Sequence, residues 1–180
     1  MYEFGLAPHN IHRLKGMLLM PFVHADAEHL WGNTIQLFFT IMLVFIHYKH
    51  MAKYVVVWQW LIPGLLLFFL GKSGSTHIGS SGVVYGLFGF LICAGFMASN
   101  RRLRLLSFML LMYYGSMIWG LFPWQEKVSW EGHLSGVMGG ISCAIALRPG
   151  YRKFTRDNKP SWFDEKDRRE DLYARFNKSN

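Results

Sequence analysis

The chain has 180 residues, 52% of them hydrophobic and 17% charged, with a formal charge of +8. The charged residues lie in a few clusters between long uncharged runs, which excludes an ordinary water-soluble domain, where charge enters most windows. Cys93 and Cys143 both fall inside uncharged runs, so they read as small packing residues, not as a disulfide or metal pair.

Residues 1–28 mix polar and apolar stretches, interrupted by Gly5, Pro8, Gly16 and Pro21. They read as an extracytoplasmic interfacial loop with short helices. Five uncharged runs follow, at 30–46, 54–71, 73–100, 105–125 and 132–147. About 20 helical residues cross a hydrocarbon core of roughly 30 Å, so five spans are expected within a transmembrane domain at 29–148. A soluble bundle would show polar stripes at helical spacing, and run 54–71 shows none. Pro63 within it predicts a kink near Ile62. Run 73–100 divides, because residues 72–82 are rich in Gly, Ser and Thr and become continuously apolar only after Gly82. A polar loop dipping into the membrane is expected there, then a helix from about Ser81 to Ser99.

Residues 149–180 form a basic tail. Ser161 and Asp164 resemble a capping box for a short helix at 161–177, with a solvated tail as the alternative. Arg148, Arg152, Lys153 and Arg156 could hold anionic lipid head groups. If the connections after the first, third and fifth runs share one side, fifteen of the 19 Lys and Arg lie there. Such an excess marks the cytoplasmic face and makes the C-terminus cytoplasmic. Residues 1–28 then lie outside, and an additional upstream helix is expected to carry them across.

Polar residues at membrane depth are costly and need a reason. His29 and Asn33 open the first span, Ser81 the third and His133 the fifth, all toward the outer face. Ser81 lies about 30 Å and His133 about 22 Å from the inner boundary at 1.5 Å per residue, close enough to meet once tilt is allowed. Gly82, Gly86 and Gly89 continue one helix; Gly136, Gly139 and Gly140 continue the other. Small residues at this spacing let membrane helices approach closely. A serine hydroxyl becomes a useful nucleophile when an adjacent imidazole takes its proton. Glu131 points off the helix face, so a dyad fits better than a triad.

These features, with Gly79-Ser80-Ser81-Gly82, Tyr85 four residues on, His133 followed by Gly136 and Gly140, and His29-x-x-x-Asn33 upstream, resemble the bacterial rhomboid intramembrane serine proteases. The likeness runs in order from about His24 to Leu147. It implies an all-α polytopic membrane bundle of five helices here, against six in the usual core. It also implies Ser81 as nucleophile, His133 as base, Asn33 and His29 with the Ser81 amide as oxyanion stabilisers, and Tyr85 against the imidazole. Gly79, Gly82, Gly136 and Gly140 take supporting roles. Transmembrane proteins are the implied substrates, the lipid bilayer is a partner, and no cofactor, metal or nucleic acid is expected. The setting implied is a bacterial inner membrane.

Ser80 is the weaker nucleophile candidate, His24 is expected to brace the N-terminal loop, and His77 to lie at the surface. The Trp-Arg pair of many members' first loop is absent, with His12-Arg13 nearest, and Gly132 stands where Ala is common. The alternative function is a non-catalytic rhomboid-like protein that binds membrane clients. Such relatives lack the Ser or the His, and both are present here.

Overall fold

A computed structural model describes residues 2–98, 100–124 and 128–148. The basic tail, with its capping box and most of its cationic cluster, lies outside the described residues. Helix is the dominant structure, and the order is three short 3-10 turns and α1 (Gly16–Leu19) before α2 (Ala27–His47), α3 (Ala52–Leu70), α4 (Ser81–Met97), α5 (Arg101–Tyr113), a 3-10 helix at Gly115–Leu121, and α6 (Trp130–Ala146).

The ends are set by local chemistry. Asp26 caps α2 by accepting from the His29 amide at 2.8 Å, and Asn100 caps α5 through the Arg102 amide at 2.8 Å. Ser129 caps α6 by accepting from the Gly132 amide at 3.3 Å. Helix α3 continues unbroken through Pro63, whose ring packs on Gly139 of α6; neighbouring helices make such a proline tolerable.

Helix α4 is the axis of the bundle, with Val83, Val84, Leu87, Phe90, Leu91 and Ala94 at 0–2% exposure. Its tightest partner is α6. A Cβ on Gly136 would collide with the Gly82 carbonyl, and one on Gly140 with the Gly86 carbonyl. The two backbones touch with no side chain between them, which only glycine permits. On the outward side, Phe38, Phe39, Ile46, Phe69, Phe108 and Met112 are exposed. So many large apolar side chains exposed on long apolar helices have no cost where they face lipid. The chain is an integral membrane protein.

The five uncharged runs do not translate into five equal spans. By length and composition α2 and α3 can each cross a membrane, and a third crossing exists if α5 and Gly115–Leu121 are taken as one span bent by 63°. Helices α4 and α6 have 17 residues each, about 26 Å at 1.5 Å per residue, which is shorter than the hydrocarbon core. The run 105–125 is broken because the chain turns at Tyr114–Gly115, while α5 begins earlier, at Arg101, under the Asn100 cap.

The N-terminal segment is stitched to the loop at 72–80. Leu6 and His77 form an antiparallel bridge with N–H···O distances of 3.0 and 2.8 Å, and the Gly79 amide donates to the Met20 carbonyl at 2.9 Å.

The glycine contact gives a stability prediction. Gly140→Ala should lower Tm by about 2–12 °C, the shift expected for 1–3 kcal/mol of overpacking in a chain of this size. Gly32→Ala, where a Cβ meets nothing within 4 Å, should leave Tm unchanged or raise it slightly. Thermal unfolding in detergent checks both, and equal Tm values for the two variants would remove the contact from its structural role.

Candidate active site

Ser81 is the first residue of α4, and the buried Ser80 occupies its N-cap position. His133 lies in the first turn of α6. Close approach of the two helices brings Ser81 Oγ to 3.0 Å from His133 Nε2. On the far side of the ring, His133 Nδ1 lies 2.9 Å from the Gly120 carbonyl oxygen. A carbonyl can only accept, so Nδ1 carries the hydrogen and Nε2 presents its lone pair to the serine hydroxyl. Tyr85, one turn below Ser81, stacks on the imidazole with centroids 4.0 Å apart and planes 11° from parallel. Its hydroxyl donates to the Met117 carbonyl at 2.8 Å. His133 is 8% exposed, so little water competes for these bonds.

Gly79 carries the loop past α2. Its φ is +95°, in the left-handed region, and a Cβ there would stand 2.9 Å from His29 Cε1 and 3.3 Å from Asn33 Nδ2. Glycine is therefore required twice, by conformation and by space. The consequence is that His29 and Asn33 lie against the turn that leads into Ser81. Asn33 is buried, and its Nδ2 has no partner within the structure. A buried amide donor without an acceptor is expensive unless something else supplies one. The Ser81 amide, at the start of a helix, is likewise free of an intrahelical partner.

His24 stands edge-on to His29 at 5.1 Å. Partial burial first, and His29 second, hold its pKa below the ordinary 6.5. Among the described residues no three His, Cys, Asp or Glu side chains come together as a metal site. Cys93 and Cys143 are free thiols.

His77 departs from expectation. It is buried, not at the surface, with Nδ1 2.6 Å from Ser129 Oγ and Nε2 2.8 Å from Ser75 Oγ. It thus ties the loop before Ser81 to the cap of the helix that carries His133. A histidine in a Gly/Ser/Thr loop gives no periodic sign of burial. Gln59 was also missed. It is fully buried in α3, its Nε2 3.5 Å from the Gly139 carbonyl and its Oε1 against Gly86. A lone amide inside the uncharged run 54–71 was the available signal. Gly120 and Met117 act through backbone carbonyls, which no residue type reveals.

Residues 11–150 match the family model of the Rhomboid domain. Uncharacterized protein Rv1337 of Mycobacterium tuberculosis and uncharacterized protein Mb1372 of Mycobacterium bovis are each 30% identical over 157 residues, 83% of this chain and 65% of theirs. Uncharacterized protein ML1171 of Mycobacterium leprae is 31% identical over 148 residues, 78% of this chain and 59% of its own. The chain thus spans less than two thirds of the length of these curated relatives. No solved structure matches it significantly.

The His77 bridge predicts a pH dependence. Burial, opposed by the neighbouring Glu131 charge, lowers the His77 pKa from 6.5. The unfolded chain therefore binds this proton at higher pH than the folded protein does. Stability from neutral His77 is complete above pH 6.5 and is lost as pH falls from there through the lower folded pKa. His77→Gln should be less stable at pH 7.5, and the gap to wild type should narrow on acidification. Unfolding curves from pH 7.5 to 5 measure this, and a constant gap would sink the claim.

Proposed function

Because the chain belongs to the rhomboid family, we propose that it is an intramembrane serine endopeptidase that cuts transmembrane segments of other membrane proteins near the outer face. The observation that carries this reading is the Ser81 Oγ to His133 Nε2 contact of 3.0 Å at the head of two helices in backbone contact.

In the proposed reaction Ser81 gives its proton to His133 Nε2 as Oγ attacks the scissile carbonyl carbon. The tetrahedral oxyanion is met by the Ser81 amide, by Asn33 Nδ2 and by His29. The unpartnered Asn33 amide supports this, since it supplies a fixed donor with no acceptor of its own. His133 then returns the proton to the leaving amine as the C–N bond breaks. Water, deprotonated by the same imidazole, hydrolyses the acyl-serine and frees the enzyme. Tyr85 keeps the ring in plane throughout. The substrate helix must unwind locally, because a helical peptide bond is shielded and already hydrogen-bonded.

Orientation rests on charge. The Lys and Arg excess around 49–53, 101–104 and the tail is cytoplasmic, so the C-terminus faces the cytoplasm of a bacterial inner membrane and the Ser81 end faces outward. Anionic lipids are the proposed partners of the basic tail.

Two measurements test the roles. A fluorophosphonate probe should label wild type and Ser80→Ala but not Ser81→Ala; labelling that survives Ser81→Ala and disappears in Ser80→Ala would reverse the assignment. Asn33→Ala should keep folded protein while reducing turnover of a model membrane substrate about a hundredfold, the usual loss for one oxyanion donor. Turnover within twofold of wild type would leave Asn33 a purely structural role.

A further inference from the structure

We propose that Gly120 is a positioning residue of the Ser81–His133 site: its main-chain carbonyl, left without a helical donor by Pro123, fixes the imidazole in the tautomer that can serve Ser81. This rests on the endopeptidase reading above and adds a third member to a dyad that has no carboxylate partner.

Helical hydrogen bonding cannot occupy that carbonyl. In a continuing 3-10 or α-helix the Gly120 oxygen would accept from residue 123 or 124. Residue 123 is proline and has no N–H. The Trp124 amide donates instead to the Phe122 carbonyl at 2.8 Å. Neither donor reaches Gly120, and its oxygen accepts from His133 Nδ1 at 2.9 Å.

Steric fit is an independent reason for glycine at 120. A Cβ would collide with the Tyr85 hydroxyl and stand 3.0 Å from His133 Nδ1. The segment lies against the stacked pair so closely that a methyl group has no room. The Tyr85 hydroxyl holds the same segment one 3-10 turn earlier, at Met117. The 63° turn after α5 is what carries Gly115–Leu121 across to these two side chains.

Of the segment's large apolar side chains, Met117 packs against the core. The segment borders an apolar cavity of about 330 Å³ lined in part by Tyr85, Leu110, Tyr114, Met117, Ile118 and Leu121. Ile118 and Trp119 point outward at 51% and 57% exposure. The segment is thus placed by the Met117 packing as well as by hydrogen bonds, and its Gly120 carbonyl in turn sets how the imidazole is turned.

The test begins with wild type, which should cleave a model transmembrane substrate and take a fluorophosphonate label that Ser81→Ala abolishes. Absence of both overturns the endopeptidase reading itself, a failure distinct from any result on Gly120. Given an active wild type, Gly120→Ala should lower kcat about tenfold or more with KM within twofold, since orientation of the base matters only once charge moves. Adding Tyr85→Phe removes the hydroxyl that the new methyl meets, and kcat should rise at least about threefold over Gly120→Ala alone, a coupling that independent losses do not show. A kcat within twofold of wild type for Gly120→Ala, or multiplicative losses in the double variant, overturns the proposal. Should Gly120→Ala not fold, 15N-histidine NMR of wild type against His133→Ala decides it: the Nδ1–H tautomer is expected for His133, and the Nε2–H tautomer overturns the assignment.

Discussion

The bare contact between α4 and α6 is the constraint on which the rest of the molecule depends. Two backbones that meet carbonyl to Cα, as Gly82 and Gly86 do with Gly136 and Gly140, leave no freedom in register, because sliding either helix by one residue would bring a side chain into the crossing. Lipid tails offer no hydrophobic drive for helices to associate, so dispersion and close backbone approach must supply it. The same geometry that provides the attraction also delivers the two helix heads to a single place. Packing and chemistry are here one requirement, met by the absence of side chains.

Around that contact the polar groups are arranged by length of reach. Ser81 and His133 come straight from helix starts, while His29 and Asn33 are brought in by α2 against the turn at Gly79. His77 then links that turn to the Ser129 cap, so the loop before the serine and the start of the histidine's helix share one hydrogen-bonded bridge. Buried polar networks of this kind hold geometry only when most members are satisfied. The unpartnered Asn33 amide and Gln59 oxygen stand out against that background.

How much could be read from residues alone varied with the kind of signal. The start of α4 at Ser81 was legible because a Gly/Ser/Thr loop gives way abruptly to apolar chain. Ser81, His133, His29 and Asn33 could be singled out because each is a polar residue near the start of an expected membrane helix. The break of run 105–125 was not legible, since a bend at Tyr114–Gly115 leaves the run's apolar content unchanged and is decided by where the following segment finds hydrogen-bond donors. The start of α5 was not legible for a related reason. Arginines ended the uncharged run at 101–104, yet they are good helix formers under an asparagine cap, so the helix extends through them. Burial of His77 depended on partners 52 residues away, beyond any local pattern.

The order of the helices along the chain has a consequence for biosynthesis. The helix of Ser81 emerges from the ribosome well before the helix of His133, with α5 and the Gly115–Leu121 segment between them. Until α6 follows, the Ser81 hydroxyl lacks its histidine partner, and the glycine face of α4 that receives α6 is open. Only when α6 joins does the imidazole of His133 arrive, together with the backbone contact that closes the bundle. A nascent chain lacking α6 thus has no Ser81–His133 hydrogen bond, and the contact forms only when the bundle is complete.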